Sequence, residues 1–496
     1  MKRTAAVTTA LACLAGAVVA SGCGGVETES SAGAAVAPPR AVATSDPAAG
    51  AIVPPRIKVT TPATQTSPGY LFVAPKRGQG EDNGPLIYDN LGQPVWFKPL
   101  SGQTRAYDFR VQRYQGKPVL TWWEGVAQSG FGQGVGVIYD DHYRQIATVK
   151  TGNGLKADFH EFLISPRNTA YLIAYAEGPR RDTRRWGGTK RDRVLDNVIQ
   201  EIDIKTGKVL FQWKGLDHIS PGESYQAPPK DPNKPWDPLH INSIQVLPDG
   251  NLLISVREPH TTYKINRRSG KVMWRMGGKK SDFKMAPGTR TAWQHDAQRL
   301  PNGDYTWFDN NSVRPTRDQG FARGLQVKVD EKARKVTMVR AYGHTPPEVS
   351  HSQANMQTLP NGDKLIGWGG SQPNLTEYGP DGGLRFEAQF AAPGADTYRA
   401  YRFPWVGVAP GAPALTVDRT GGQTTATVRW NGATEVESWR VLSGSATGEL
   451  VPGETVGRTG FDTVVPVDPA AARVAVEALD TDGSVIGRSP IVDVPS

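Results

Sequence analysis

Cysteine is nearly missing from this 496-residue chain. There are two, Cys13 and Cys23, and both lie within the first two dozen residues. The remainder can form no internal disulfide and no cysteine-ligated zinc site, so it must rest on its own core. Helical periodicity is also nearly absent beyond the N-terminus, which argues against a helical architecture. In its place are 55 Gly and 39 Pro that punctuate short alternating stretches, with 13 Trp and 15 Tyr to fill a large core. The pattern predicts an all-β protein. The length is too great for one ordinary domain. Histidine is scarce at 8 residues, and half of them share one place in a repeat.

The N-terminus reads as a targeting segment: a basic start, an apolar stretch and small residues before a cysteine, MKRTAAVTTALACLAGAVVASGC. Ala20-Ser21-Gly22-Cys23 is similar to a bacterial lipobox, which implies cleavage before Cys23 and lipid on its thiol. Ordinary signal cleavage beside an incidental cysteine is the alternative. The small, polar, Pro-containing stretch that follows favours the lipoprotein, because it suits a spacer between membrane and domain. The expected division is a signal peptide over 1–22 and a tether over 23–55. The chain would be exported and held by lipid to the outer face of a bacterial cell membrane.

The repeat carries the histidines. ADFHEFLISPRNTAYLIAYAE, DPLHINSIQVLPDGNLLISVRE, AWQHDAQRLPNGDYTWFDN and EVSHSQANMQTLPNGDKLIGWG each give a histidine, a short strand, a turn and a second strand. The histidines are His160, His240, His295 and His351, and a fifth unit has Asp108 near that place. Between these units lie hairpins of a second kind, such as NVIQEIDIKTGKVLFQWKG and TYKINRRSGKVMWRMGG. Alternation of two hairpins gives four-stranded units, which read as propeller blades over residues 56–410. Six blades are preferred, and the histidines are expected to converge on the axis. After Pro410 strict alternation and a buried-looking Trp430 predict a small β-sandwich over 411–496, similar to a fibronectin type III module.

Formal net charge is +9, much of it from Gly178 to Arg193. Nucleic acid does not suit an exported lipoprotein. The run reads as a solvated loop, or as a lip that draws in anionic substrate.

The repeat region resembles the bacterial arylsulfate sulfotransferase family over most of residues 69–390. SPGYLFVAP with GPLIYDNLGQPVWF looks like the family's first blade, and DPLHINSIQVLPDGNLLISVRE like the segment holding an active-site histidine and arginine. The resemblance implies six-bladed propellers that move a sulfuryl group between phenols without a nucleotide donor. It assigns His240 and Arg257 to the site, His295 of the Gln-His pair to uptake of the sulfuryl group, and His160 as the remaining histidine. His351, Asn242 and Trp293 are expected at the substrate, Trp293 by stacking on a phenolic ring. For His351 a plain structural bond to a neighbouring blade is the competing reading. An aryl sulfate donor and a phenolic acceptor are the implied partners, with no metal or other cofactor.

The chemistry suits these residue types. Displacement at a sulfate monoester should pass through a loose transition state, so positioning and electrostatics dominate, as in phosphoryl transfer. Arg257 offers a rigid fork of donors to two oxygens. Its charge also disfavours protonation of nearby imidazoles, which keeps a nucleophile neutral. Two other functions compete. Converging histidines could hold Mn, Fe or Zn in a propeller lyase or hydrolase, with Asp108 and Glu161 as the carboxylates nearby. A non-catalytic surface protein would use the propeller as a binding platform.

Overall fold

The computed structural model describes residues 52–76, 82–128, 130–231, 233–311, 320–420 and 422–495. The expected signal segment and Cys23 lie outside them. The described residues form an all-β body whose helices are single 3-10 turns. No helix among them is long and apolar enough to cross a membrane.

Six sheets, antiparallel apart from one short parallel pairing of Lys284–Met285 in the fifth, follow one another along the chain up to Phe403. The second is built from Arg105–Tyr114, Lys117–Gln128, Phe131–Tyr139 and Gln145–Val149. The third runs from Phe162–Ile164 through Thr169–Glu177 and Leu195–Asp203 to Val209–Lys214. The fourth comprises Ile241–Val246, Leu252–Val256, Thr261–Ile265 and Val272–Gly277. The fifth includes His295–Arg299 and Tyr305–Asp309, the sixth Asn355–Thr358 and Lys364–Gly367. The two hairpin kinds seen in the sequence thus supply two strands each. The first sheet differs, because its hairpin and Tyr70–Val73 lack a local inner strand. Ala400–Phe403, from the far end of the region, fills that place by pairing with Tyr70–Val73. Ile57–Thr61 in turn adds an outer strand to the sixth sheet. Residues 52–55, expected in the tether, pack as well: the Tyr88 hydroxyl donates to Pro55 O at 2.6 Å.

Six apolar clusters lie between these sheets, one for each neighbouring pair. Trp96 and Trp122 share one between the first and second sheets, and Trp123 and Phe162 one between the second and third. Trp213 and Ile254 join the third to the fourth, Trp274 and Trp307 the fourth to the fifth. Phe308 and Trp368 join the fifth to the sixth, and Phe386 and Tyr88 bring the sixth back to the first. Each large apolar side chain buried this way contributes about 1.5–3 kcal/mol. Polar side chains add register between inner strands. Gln245 exchanges two hydrogen bonds with the backbone of Arg299, Gln357 two with Arg402, and Gln112 bonds Phe162 O and Ile164 N.

From Ala414 onward two small sheets enclose their own core. Trp439, 2% exposed, occupies that core, whereas Trp430 packs only at its margin. The sequence pointed to Trp430, but its ring faces Gly487 at an edge of the module. The module is seated on the first two sheets. Tyr143 stacks on Trp96 with centroids 4.9 Å apart and donates to Gly432 O at 2.8 Å. Gly432 has φ 98°, and a Cβ there would come within 2.4 Å of the Tyr143 ring. Glycine is therefore required by both the backbone and the contact.

Candidate active site

The inner strands begin around a cavity of about 480 Å³ whose lining includes His160, His240, Arg257 and His295. Each arrives by a different local device. His295 is the first residue of its strand, and the left-handed Asp296 (φ 54°) after it begins a bulge. His240 is itself left-handed (φ 58°) and directly precedes Ile241. Non-glycine residues adopt this conformation rarely, and such positions concentrate at functional sites. Arg257 follows the neighbouring strand, and its N–H donates to His240 O at 2.9 Å, which holds the two residues side by side. His160 sits in the turn before Phe162, with its ring 4.7 Å from that of His240, edge to face.

All three imidazoles are tied at Nδ1. His240 Nδ1 is 2.7 Å from Asp237 Oδ2, and His160 Nδ1 bonds Asp158 Oδ1. His295 Nδ1 meets Asn310 Oδ1 at 2.7 Å and Trp293 O at 2.9 Å. Every one of these partners is an acceptor, because Asn310 spends its Nδ2 on Ser350 O and Gln353 O. Nδ1 therefore carries a proton in each ring, and in a neutral ring Nε2 keeps the lone pair. The partners differ in charge. Two histidines rest on carboxylates, which stabilise an imidazolium. His295 rests on neutral oxygens.

Electrostatics separates them further. Burial drives the His295 pKa well below the ordinary value, and the Arg257 charge adds to it. Burial takes His240 down to about 4 against the upward pull of Asp237, with His160 and Arg257 contributing. Both rings are neutral at pH 7. The Arg257 guanidinium lies 3.6 Å from the centre of the Trp293 ring and bonds Glu258 Oε1 at 2.5 Å. On the other side an aromatic wall meets the histidines: Phe159 stacks on His160 at 4.2 Å.

Next to His160 lies a largely buried charged cluster. Arg399 Nη1 contacts Asp108 at 2.9 Å and Glu161 at 3.3 Å, and Arg110 bonds both carboxylates. Asp108 and Glu161 are thereby committed to arginines rather than open to a metal. Among the described residues, the one set of side chains close enough to share an ion is Asp140, Asp141 and His142, at a turn away from the cavity.

Three expected substrate contacts fall elsewhere. His351 is exposed and does not line the cavity. The residue directly before the sixth inner strand, where His240 stands in the fourth, is Ala354 (φ 84°). His351 comes three residues too early. Asn242 is wholly buried and donates to Gln294 O at 2.9 Å, so it positions the residue before His295. Trp293 lies behind Arg257 and is not part of the lining. Sequence reasoning missed Asp158, Asp237, Asn310 and Glu258. The first two had a local signal, an aspartate two or three residues before a histidine. Asn310 had none, since it reaches His295 across the strand pair.

The family described as Arylsulfotransferase (ASST) matches residues 110–391, and the chain belongs to that family. No curated protein matches it. Among solved structures it is similar to a protein of unknown function from Bacteroides caccae, at 14% identity and TM-score 0.41, over 67% of this chain and 98% of that one. A catalytically inactive virginiamycin B lyase from Staphylococcus aureus is similar at 8% identity and TM-score 0.33, over 75% and 96%. An exo-beta-1,3-galactanase from Phanerochaete chrysosporium stands at 9% identity and TM-score 0.31, over 80% and 93%. Likenesses this slight carry nothing to this chain's chemistry.

Proposed function

We propose that the chain is a nucleotide-independent aryl sulfotransferase, in which His295 takes a sulfuryl group from an aryl sulfate and passes it to a phenol. The observation that carries this reading is the three imidazoles held through Nδ1 around one guanidinium, His295 alone on a neutral partner. Family membership supports aryl sulfotransfer in general. In the first half-reaction Nε2 of His295 attacks sulfur, the S–O bond to the aryl oxygen breaks, and the phenoxide leaves. As that bond breaks, His240 or His160, steadied by its aspartate, relays a proton from solvent to the departing oxygen. In the second half the acceptor phenol returns its proton to the same ring and attacks the sulfohistidine, freeing His295. Arg257 holds the sulfuryl oxygens throughout.

The six sheets and their cycle of six cores are read as six propeller blades closed by Ala400–Phe403, and residues 411–496 as a fibronectin type III-like module. Cys23 is proposed to carry lipid that anchors the exported protein to the outer face of the cell membrane, away from nucleic acid. Cys23→Ser should release the protein or block its processing. Unchanged attachment would refute the anchor.

The decisive experiment is incubation with an aryl sulfate alone, followed by peptide mass spectrometry. The sulfuryl group should be found on His295. His295→Ala should release no phenol, because the covalent route is gone. A label elsewhere, or full transfer by that variant, overturns the assignment.

A further inference from the structure

Glu258 lies in the same cavity and is not used by the mechanism above. It is 2% exposed, yet it lines the cavity beside Arg257 and His240. Its Oε1 takes Arg257 Nη1 at 2.5 Å, and its Oε2 accepts from Trp293 Nε1 at 3.2 Å. Trp293 in turn stacks on the same guanidinium. A carboxyl group therefore stands against the guanidinium where a sulfuryl group would seek its cation. Arg257 Nε is buried and has no partner. The guanidinium is thus only partly satisfied.

We propose that Glu258 is a proton-linked positioning residue, which orients Arg257 and takes up one proton from solvent when the anionic sulfuryl donor binds. The balance is simple: carboxylate, donor monoanion and one proton give a carboxylic acid with the donor bound. The physical reason is that two anions cannot share one desolvated guanidinium at low cost, whereas a neutral carboxyl beside the sulfuryl group adds a donor. Burial has already pushed this carboxyl up to about 7, against the pull of Arg257 and with the help of Asp237. The charged and titratable groups around it are Arg257, Asp237 and His240, with His160 and His295 in the same lining and His260, itself lowered to about 4 by burial, beside Arg257. His240 stays neutral well below this range. A sulfate monoester remains a monoanion throughout, so the ligand does not titrate either.

The inference rests on the sulfuryl-transfer reading, and the test separates the two. Benzenesulfonate is a stable monoanion that cannot transfer its group. Its binding to the full-length protein is measured by calorimetry at pH 8 in two buffers of different ionisation enthalpy. The expected result is uptake of most of one proton and an affinity that weakens as pH rises from 7 to 9. Glu258→Gln imitates the protonated carboxyl, so it should bind without proton uptake and with affinity independent of pH over that range. In donor turnover the same variant should lose the rise of KM with pH. If the wild type binds without proton uptake, the inference is wrong. It is also wrong if uptake and pH dependence survive in Glu258→Gln, because they would then belong to His160. A variant that binds worse at every pH would make Glu258 a purely structural brace and overturn it too. If benzenesulfonate fails to bind at all, the sulfuryl reading of the cavity fails instead.

Discussion

His295 Nδ1 lies 2.7 Å from Asn310 Oδ1, a neutral acceptor on the far side of the strand pair. This contact fixes the tautomer without adding charge, and so leaves Nε2 as a lone-pair donor facing the cavity. It separates His295 from His160 and His240, whose aspartates would stabilise the proton that a nucleophile must not carry.

Asn310→Ala should therefore lower the rate of phenol release in the first half-reaction by about ten- to a hundred-fold, as is usual when the partner of a functional histidine is removed. The site of labelling should remain His295. Single-turnover kinetics with donor alone would read this. An unchanged rate would mean that Trp293 O suffices to hold the ring.

His160→Ala and His240→Ala should slow both half-reactions, each by a factor of about 10² to 10⁴, because each removes a proton carrier or an oxygen contact but not the nucleophile. Separate stopped-flow measurement of donor cleavage and acceptor transfer gives both numbers.

The pH dependence follows from the depressed pKa of His295. A histidine titrating at about 6.5 would be roughly 3% neutral at pH 5 and would lose about thirty-fold in kcat/KM below neutrality. His295 is held well below that value by burial and Arg257, so its neutral form persists as pH falls. The kcat/KM for donor should not decline between pH 7 and pH 5. An acid limb near 6.5 would show that the free enzyme's nucleophile is solvated.

Next to His160, Arg399→Ala would leave Asp108 and Glu161 short of a buried cation. Breaking such a pair costs about 3–5 kcal/mol, which thermal or urea denaturation would register. The sign with pH is also set. Burial already raises Glu161 to about 7, and loss of Arg399 removes a charge that lowers it. The group binds its proton more tightly folded than unfolded, so its contribution is greatest at low pH and is lost as pH rises through the folded pKa. The deficit of the variant should shrink as pH is lowered from 8 to 5.

Much of this architecture was legible because strand alternation and turn chemistry are local. The hairpins of His240 and His295 appear with the two strands and the turn read from DPLHINSIQVLPDGNLLISV and QHDAQRLPNGDYTWF. The place of Arg257 beside His240 also follows from a hairpin of known register. His351 misled because a repeat written as letters hides a shift of three residues. Backbone conformation decides which residue faces the cavity, and there Ala354 stands at the turn. Trp293 stacks on Arg257 outside the lining, and spacing does not distinguish an aromatic that meets a ligand from one that meets an arginine.

The sequence by itself determined the strands, the turns and the residue types that could meet a sulfuryl group, since these depend on side-chain period and composition over a few residues. Tertiary structure alone decided which of them meet. The closing partnership of Tyr70–Val73 with Ala400–Phe403 joins segments more than three hundred residues apart. The same long-range packing buries His295 beside Arg257, gives it Asn310 as partner, and sets Glu258 against the guanidinium. Burial and distance govern pKa, and neither quantity exists until the chain has folded.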